Sequence, residues 1–222
     1  MGIQDFGEKF QLSKLLAARN VTRDLTYELS TLILPGMTED DAHAIYKEVT
    51  KKYPVEKQWH PPKLRFGPNT LCNFKDISAP YVLGEEDIFF IDIGPVIEGH
   101  EADYGETFTV GDVYEHRLIA ATATKVFHEV ADFWKIQRCT GEELYHFASE
   151  RAQHYGYHLS MGSDGHRIGD FPHHVHFKGG MPETDEEIFP NAWILEIHLL
   201  NQERTFGAFF EDVLTDEELD FI

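Results

Sequence analysis

Apolar residues recur at roughly helical spacing through the first part of the chain. Leu12, Leu15, Leu16, Val21, Leu25, Leu29 and Leu32 predict a long helix over about 6–34. Pro35-Gly36 stops it. Thr38, followed by Glu39, Asp40 and Asp41, reads as the cap and acidic first turn of a second helix running to about residue 52. Trp59-His60-Pro61-Pro62 is a rigid connector and Phe66-Gly67-Pro68-Asn69 a turn.

The period then changes. Ile88-Phe89-Phe90-Ile91-Asp92-Ile93-Gly94 is an apolar run with one carboxylate in its middle, bounded by turn formers. With a turn at Glu98-Gly99 the chain returns through Ala102 to Val110 as a β-hairpin. In that register Asp92 faces Gly105 and Asp103 faces Gly94, so the two aspartates are diagonal neighbours on one face. Helices follow over about 114–136 and from near Thr140 to Tyr155-Gly156. The segment 162–180 is loop-rich and His-rich, and strands are predicted over Trp193–Leu200 and 206–214.

The second half echoes the first. Thr38-Glu39-Asp40 and Thr140-Gly141-Glu142 each open a helix, and each helix leads to a strand with an acid inside it, Asp92 in IFFIDIG and Glu196 in AWILEIH. A second acid follows each on the returning strand, Asp103 and Glu211. If the second turn centres on Glu203-Arg204, Glu196 and Glu211 lie opposite each other. Two copies at this length suggest two similar halves facing one cleft rather than a solenoid.

Charge and composition narrow the partners. A net charge of -20 over 222 residues argues against nucleic acid and anionic membrane. Cys72 and Cys139 form no C-x-x-C pair and suggest reduced thiols. The N-terminus has no apolar signal-like run and no segment is long enough to span a bilayer, so a cytoplasmic protein is expected.

Four carboxylates converging from two hairpins would repel one another without a cation. Oxygen donors plus an imidazole suit Mn, Co, Fe or Zn, and four acids with one His are enough for two ions sharing bridging carboxylates. The first candidate imidazole is His166 in Asp164-Gly165-His166-Arg167-Ile168-Gly169, with His173, His174 and His176 as further groups near the site. His60, next to Trp59, lies where the chain approaches the cleft and is a candidate substrate contact.

Together these motifs resemble the pita-bread metallopeptidases, the group of methionine aminopeptidase, Xaa-Pro aminopeptidase, prolidase and creatinase. Pro35-Gly36-Met37-Thr38-Glu39, Gly67-Pro68-Asn69, the Asp92/Asp103 hairpin, Thr107-Phe108-Thr109-Val110-Gly111, Gly165-His166-Arg167-Ile168-Gly169, Glu196 and Glu211-Asp212 carry the similarity over nearly the whole chain. The resemblance implies an α/β (α+β) pita-bread fold, with curved antiparallel sheet inside and helices outside. One such domain is expected over 1–222, with halves of about 1–112 and 113–222. It implies metal ligation by Asp92, Asp103, His166, Glu196 and Glu211, with Asp103 and Glu211 bridging two divalent ions, manganese being favoured. Glu196 would take a proton from the attacking water. His173 corresponds to the family's later active-site His, with His174 beside it in the substrate site.

The activity so implied is amide cleavage by metal-activated water, of Xaa-Pro aminopeptidase type, on a small peptide, in a possible homodimer. The departures keep other readings open. The family's early substrate-binding His falls near Phe74, where this chain has none. Glu106 stands where Xaa-Pro enzymes often carry Arg, Ile197 where the family often has Pro, and His174 where Glu is common. A metal-dependent hydrolase or lyase acting on a small non-peptide molecule, as in creatinase, is one alternative; a non-catalytic binding module on the same fold is the other.

Overall fold

The structure is a computed structural model, and it describes residues 2–168, 177 and 179–219. The first helix, α1 (Leu12–Leu32), buries Leu15, Ala18, Leu25 and Leu29 along one face. It begins later than apolar spacing suggests, because residues 6–11 do other work. Phe6 stacks on Phe10 at 4.0 Å. The preceding Gln4 side chain donates to the Glu187 carbonyl at 2.7 Å and accepts from the Phe189 N–H and the Trp193 indole. The N-terminal segment is thus tied to the far half of the chain, and just before α1 the Gln11 N–H donates to His100 Nε2 at 3.0 Å.

Helix α2 (Glu39–Val49) opens on a capping box: the Asp41 N–H donates to Thr38 Oγ1 at 3.2 Å, and the Thr38 N–H donates to Asp41 Oδ2 at 2.9 Å. A 3-10 turn, Thr50–Lys52, continues it to the expected end. Helix α3 (Tyr114–Gln137) stops at Arg138, which turns left-handed at φ 50°. Helix α4 (Gly141–His154) repeats the capping box with Thr140 and Glu143. Isolated bridges join Thr38 to Val82 and Thr140 to Glu187, so the two helix starts are anchored alike.

The strands are β1 (Lys57–Gln58), β2 (Lys63–Phe66), β3 (Asp87–Ile93), β4 (Pro95–Ile97), β5 (His100–Glu101), β6 (Tyr104–Val110), β7 (His158–Leu159), β8 (His166–Arg167), β9 (Trp193–Leu200) and β10 (Gly207–Val213). One antiparallel sheet runs β2-β3-β6-β10-β9-β7, with β8 also on β9, and a small one runs β1-β4-β5. The two hairpins, β3-β6 and β9-β10, meet in the middle of the large sheet, where Glu211 pairs with Gly105. Asp92 pairs with Gly105 and Glu196 with Glu211, as the sequence predicts.

The first hairpin keeps the expected register along its length, Asp92 opposite Gly105 and Val96 opposite Glu101, but its far end belongs to a second sheet. Beyond Ile93, strands β4 and β5 leave for the small sheet and close on Glu98-Gly99, both at positive φ. Asp103 sits at the junction of β5 and β6 and lies opposite Gly94 in that register, where a Cβ on Gly94 would come within 3.3 Å of Asp103 Oδ1.

Alternation along the strands separates the two faces of the large sheet. Leu195, Ile197 and Leu199 with Ala208 and Phe210 pack under α3, against Ile119, Ala123, Val126 and Trp134. Leu64, Phe66, Phe89 and Ile91 pack under α1 and α2. The opposite face carries Phe90, Asp92, Glu196, Phe209 and Glu211 into a cleft. Among the described residues no helix is long and apolar enough to cross a membrane.

The paired caps give a direct test. Thr38→Ala and Thr140→Ala should each cost about 1 kcal/mol in urea unfolding, and the double variant about the sum, since the boxes share no partner. Loss of well under half of that would show that the boxes do not fix the helix starts.

Candidate active site

The cleft has a volume of about 390 Å³ and receives residues from both halves. Asp92 comes from the middle of β3 and Asp103 from the junction before β6. Glu196 and Glu211 face each other across β9 and β10. His166 is the first residue of β8, whose partner on β9 is Ile194. His60, from the connector between β1 and β2, reaches the same floor. Ligand atoms of His60, Asp92 and Asp103 lie within 4.8 Å of one another, as do those of His166, Glu196 and Glu211.

Asp103 is the hinge of the arrangement. His60 Nε2 lies 3.1 Å from its Oδ1 and His166 Nε2 3.0 Å from its Oδ2. His60 Nε2 is also 3.4 Å from Asp92 Oδ1, and His166 Nε2 is 3.9 Å from Glu196 Oε1.

Two glycines make this approach possible. A Cβ on Gly94 would come within 2.6 Å of the His60 ring, and one on Gly105 within 2.7 Å of Glu211 Oε1.

The acids are buried: Asp92 is 7%, Asp103 2% and Glu211 2% exposed. Their protonation reflects that crowding. Burial raises Asp92, partly offset by His60, and leaves it at about 6. Burial also raises Glu196, to about 8, with Asp92 and Asp103 adding to the shift against the pull of His166. Glu211 is pushed well up by burial and then by Asp103, Asp92 and Glu196. Asp103 alone is held down, because His60 and His166 outweigh its desolvation. Burial disfavours both imidazolium ions, but Asp103 and its neighbours win, raising His60 to about 11 and His166 to about 10. Glu211 Oε1 is buried and meets no hydrogen-bond donor among the described residues. Crowded acids, two imidazoles and an orphaned carboxylate oxygen form a donor set that fits divalent cations.

The sequence profile of metallopeptidase family M24 matches residues 13–215. The chain belongs to this family. A curated relative, the methionine aminopeptidase of Clostridium acetobutylicum, is 29% identical over 150 residues, which are 63% of this chain and 58% of that protein. Among solved structures, an X-Pro aminopeptidase from Thermotoga maritima superposes with a TM-score of 0.78 at 21% identity, covering 98% of this chain and 64% of that one. A prolidase from Pyrococcus horikoshii OT3 gives 0.75 at 18%, covering 96% and 61%. A methionine aminopeptidase from Thermotoga maritima gives 0.74 at 16%, covering 97% of both chains. The M24 chain thus spans less than two thirds of several relatives and nearly all of another, and the shared architecture is the pita-bread fold.

Of the site residues expected in this M24 chain, Asp92, Asp103, His166, Glu196, Glu211 and His60 share the cleft. His173 and His174 lie outside the described residues. His60 stands deeper than a rim contact would. Three further side chains stand beside these, two of which, Lys63 and Arg65, the sequence did not single out. Phe74, at the place where the early His is absent, sets its ring edge-on to His60 at 5.5 Å. Lys63 pairs with Asp92 in the β2-β3 ladder and sets its ammonium 4.2 Å from the Phe74 ring. Arg65 bonds Ser78 Oγ and the Asn73 and Asp76 carbonyls, fixing the loop that carries Phe74. The signal was the alternation of Lys63 and Arg65 directly after Pro61-Pro62.

Glu196 is held through its backbone. Strands β8 and β7 cover the outer edge of β9 near residues 193–194 and 199–200, leaving a gap between them. The Tyr145 hydroxyl, from α4, fills it: it donates to the Glu196 carbonyl at 2.9 Å and accepts from the Glu196 N–H at 3.3 Å. Tyr145→Phe leaves both backbone groups unpaired, so a loss of about 1–3 kcal/mol is expected in chemical denaturation. Unchanged stability would show that the gap is satisfied some other way.

Proposed function

We propose that this chain is a dinuclear metal-dependent hydrolase that cleaves an amide bond in small peptides, with Xaa-Pro aminopeptidase-type specificity. The observation that carries this reading is the meeting of Asp92, Asp103, His166, Glu196 and Glu211, from both halves, in one cleft of peptide-binding size. Asp92, Asp103, His166, Glu196 and Glu211 would hold two divalent ions of the Mn, Co, Fe or Zn class, with Asp103 and Glu211 shared between them. When bound, the ions supply an activated water and stabilise negative charge developing on the amide oxygen.

The chain's own groups do the rest. Glu196 would take the proton of the attacking water, since its carboxylate opens into the cleft 3.9 Å from His166 Nε2. Trp59 and Phe74 give the substrate apolar walls, and Lys63 adds a positive charge at one side. The tether from Tyr145 fixes Glu196 relative to the opposite strand.

The methionine aminopeptidase relative supports a second specificity, removal of an N-terminal methionine. Assay against Xaa-Pro dipeptides and methionine-initiated tripeptides, each with a panel of divalent metals, separates the two. Turnover of the prolyl substrates supports the first reading; turnover of the methionyl set alone moves the assignment to the second. No turnover of either, in protein that carries metal, would overturn the peptidase reading.

Metal loading has its own test. Asp103→Ala should remain folded by circular dichroism yet lose most of its bound metal by elemental analysis. Full occupancy in that variant would contradict a bridging role for Asp103.

A further inference from the structure

We propose that His60 is a sixth protein ligand, binding through Nε2 the ion seated between Asp92 and Asp103, so that each half of the chain supplies one imidazole. This rests on the metal-dependent reading above and narrows it. The resemblance supplied one His to the metal set, His166, and the position of His60 beside Trp59 made it a candidate substrate contact.

The geometry of the two histidines is nearly the same. His166 Nδ1 lies 3.2 Å from the carbonyl of the next residue, Arg167, and its Nε2 faces Asp103 Oδ2 at 3.0 Å. His60 Nδ1 lies 3.0 Å from the carbonyl of the next residue, Pro61, and its Nε2 faces Asp103 Oδ1 at 3.1 Å. A backbone carbonyl can only accept, so in each ring Nδ1 carries the proton and donates. That is the usual support for an imidazole whose other nitrogen binds a metal.

The place of His60 is also built for it. Gly94 leaves the room its ring occupies, since a Cβ there would lie 2.6 Å from His60 Cδ2 and Nε2. Gly94 is not in the left-handed region, so space rather than backbone conformation calls for glycine here. The edge-on ring of Phe74, held by the loop that Arg65 clamps, backs the imidazole. Pro61 and Pro62 stiffen the connector that delivers it. The groups around His60 then form a set, His60-Asp92-Asp103, that mirrors His166-Glu196-Glu211.

A second imidazole changes the metal the site prefers. Oxygen-only donors suit Mn, whereas imidazole suits Zn, Fe and the metals between them. The prediction is therefore a site that selects Co or Zn over Mn more strongly than five ligands would.

Cobalt(II) titration of the metal-stripped chain, followed by calorimetry and visible absorption, tests the assignment. Two Co ions should bind to the wild type. His60→Ala should leave one site intact and weaken the other roughly 10- to 100-fold or more, with a change in the cobalt absorption bands. Free imidazole should restore part of both. Gly94→Ala, which keeps His60 but pushes its ring aside, should give the same weakening and the same spectral change. The Co-to-Mn affinity ratio should fall in both variants.

Unaltered affinities and spectra in folded His60→Ala would overturn the ligand role while leaving the dinuclear reading standing. So would an increase in peptide KM with metal binding unchanged, which would make His60 a substrate contact. A wild type that binds no cobalt would overturn the metal-dependent reading and this inference together.

Discussion

Carboxylates that cannot escape one another govern this molecule. Two unit charges 4 Å apart repel by about 4 kcal/mol under the screening typical of a protein. Asp92, Asp103 and Glu211 are almost wholly out of water, with Glu196 beside them. No surface solvation offsets their repulsion. Left to themselves, such groups take up protons, and Asp92, Glu196 and Glu211 are all shifted that way. Asp103 escapes because two imidazoles face it. A site of this kind calls for positive charge, and the surrounding fold makes sense as the scaffold that holds it ready.

That scaffold is a duplicated one. Two hairpins meet at the middle of one sheet, and each has an acid at a matching place. Helices with the same Thr-based capping box cover the far face. The halves are tied together away from the cleft as well. Arg19 from α1 bonds both oxygens of Asp212, the neighbour of Glu211, in a fully buried pair. Breaking such a pair strands a charge in the core, so it locks α1 to the second hairpin more firmly than any surface bridge would. The Gln4 side chain adds a second tie between the N-terminal segment and β9. Rigidity from these ties bears on the site, because a metal-ligand set tolerates only small errors in position.

Much of this was legible in the sequence, for physical reasons. Strand β9 and the Glu196–Glu211 register follow from alternation and a turn of fixed length. The capping boxes follow from Thr and an acid three residues on. The late start of α1 was not legible, since the side-chain bonds of Gln4 reach partners almost the whole chain away. Nor was the division of the first hairpin between two sheets, although its register runs on unchanged. Apolar alternation continues through Val96 and Ile97, and nothing in it reports that those residues join a second small sheet. The depth of His60 was hidden for the same reason: it depends on the room left by Gly94, far along the chain. Relatives of 21% identity or less share the fold, so the architecture outlasts most of the sequence that specifies it.

Anomalous diffraction from crystals grown with cobalt addresses the central claim most directly. The account predicts two strong anomalous peaks in the cleft, one beside Asp92 and one beside Glu196, with Asp103 and Glu211 between them. A cleft without such peaks, its acids neutralised by protons and imidazolium alone, would contradict it.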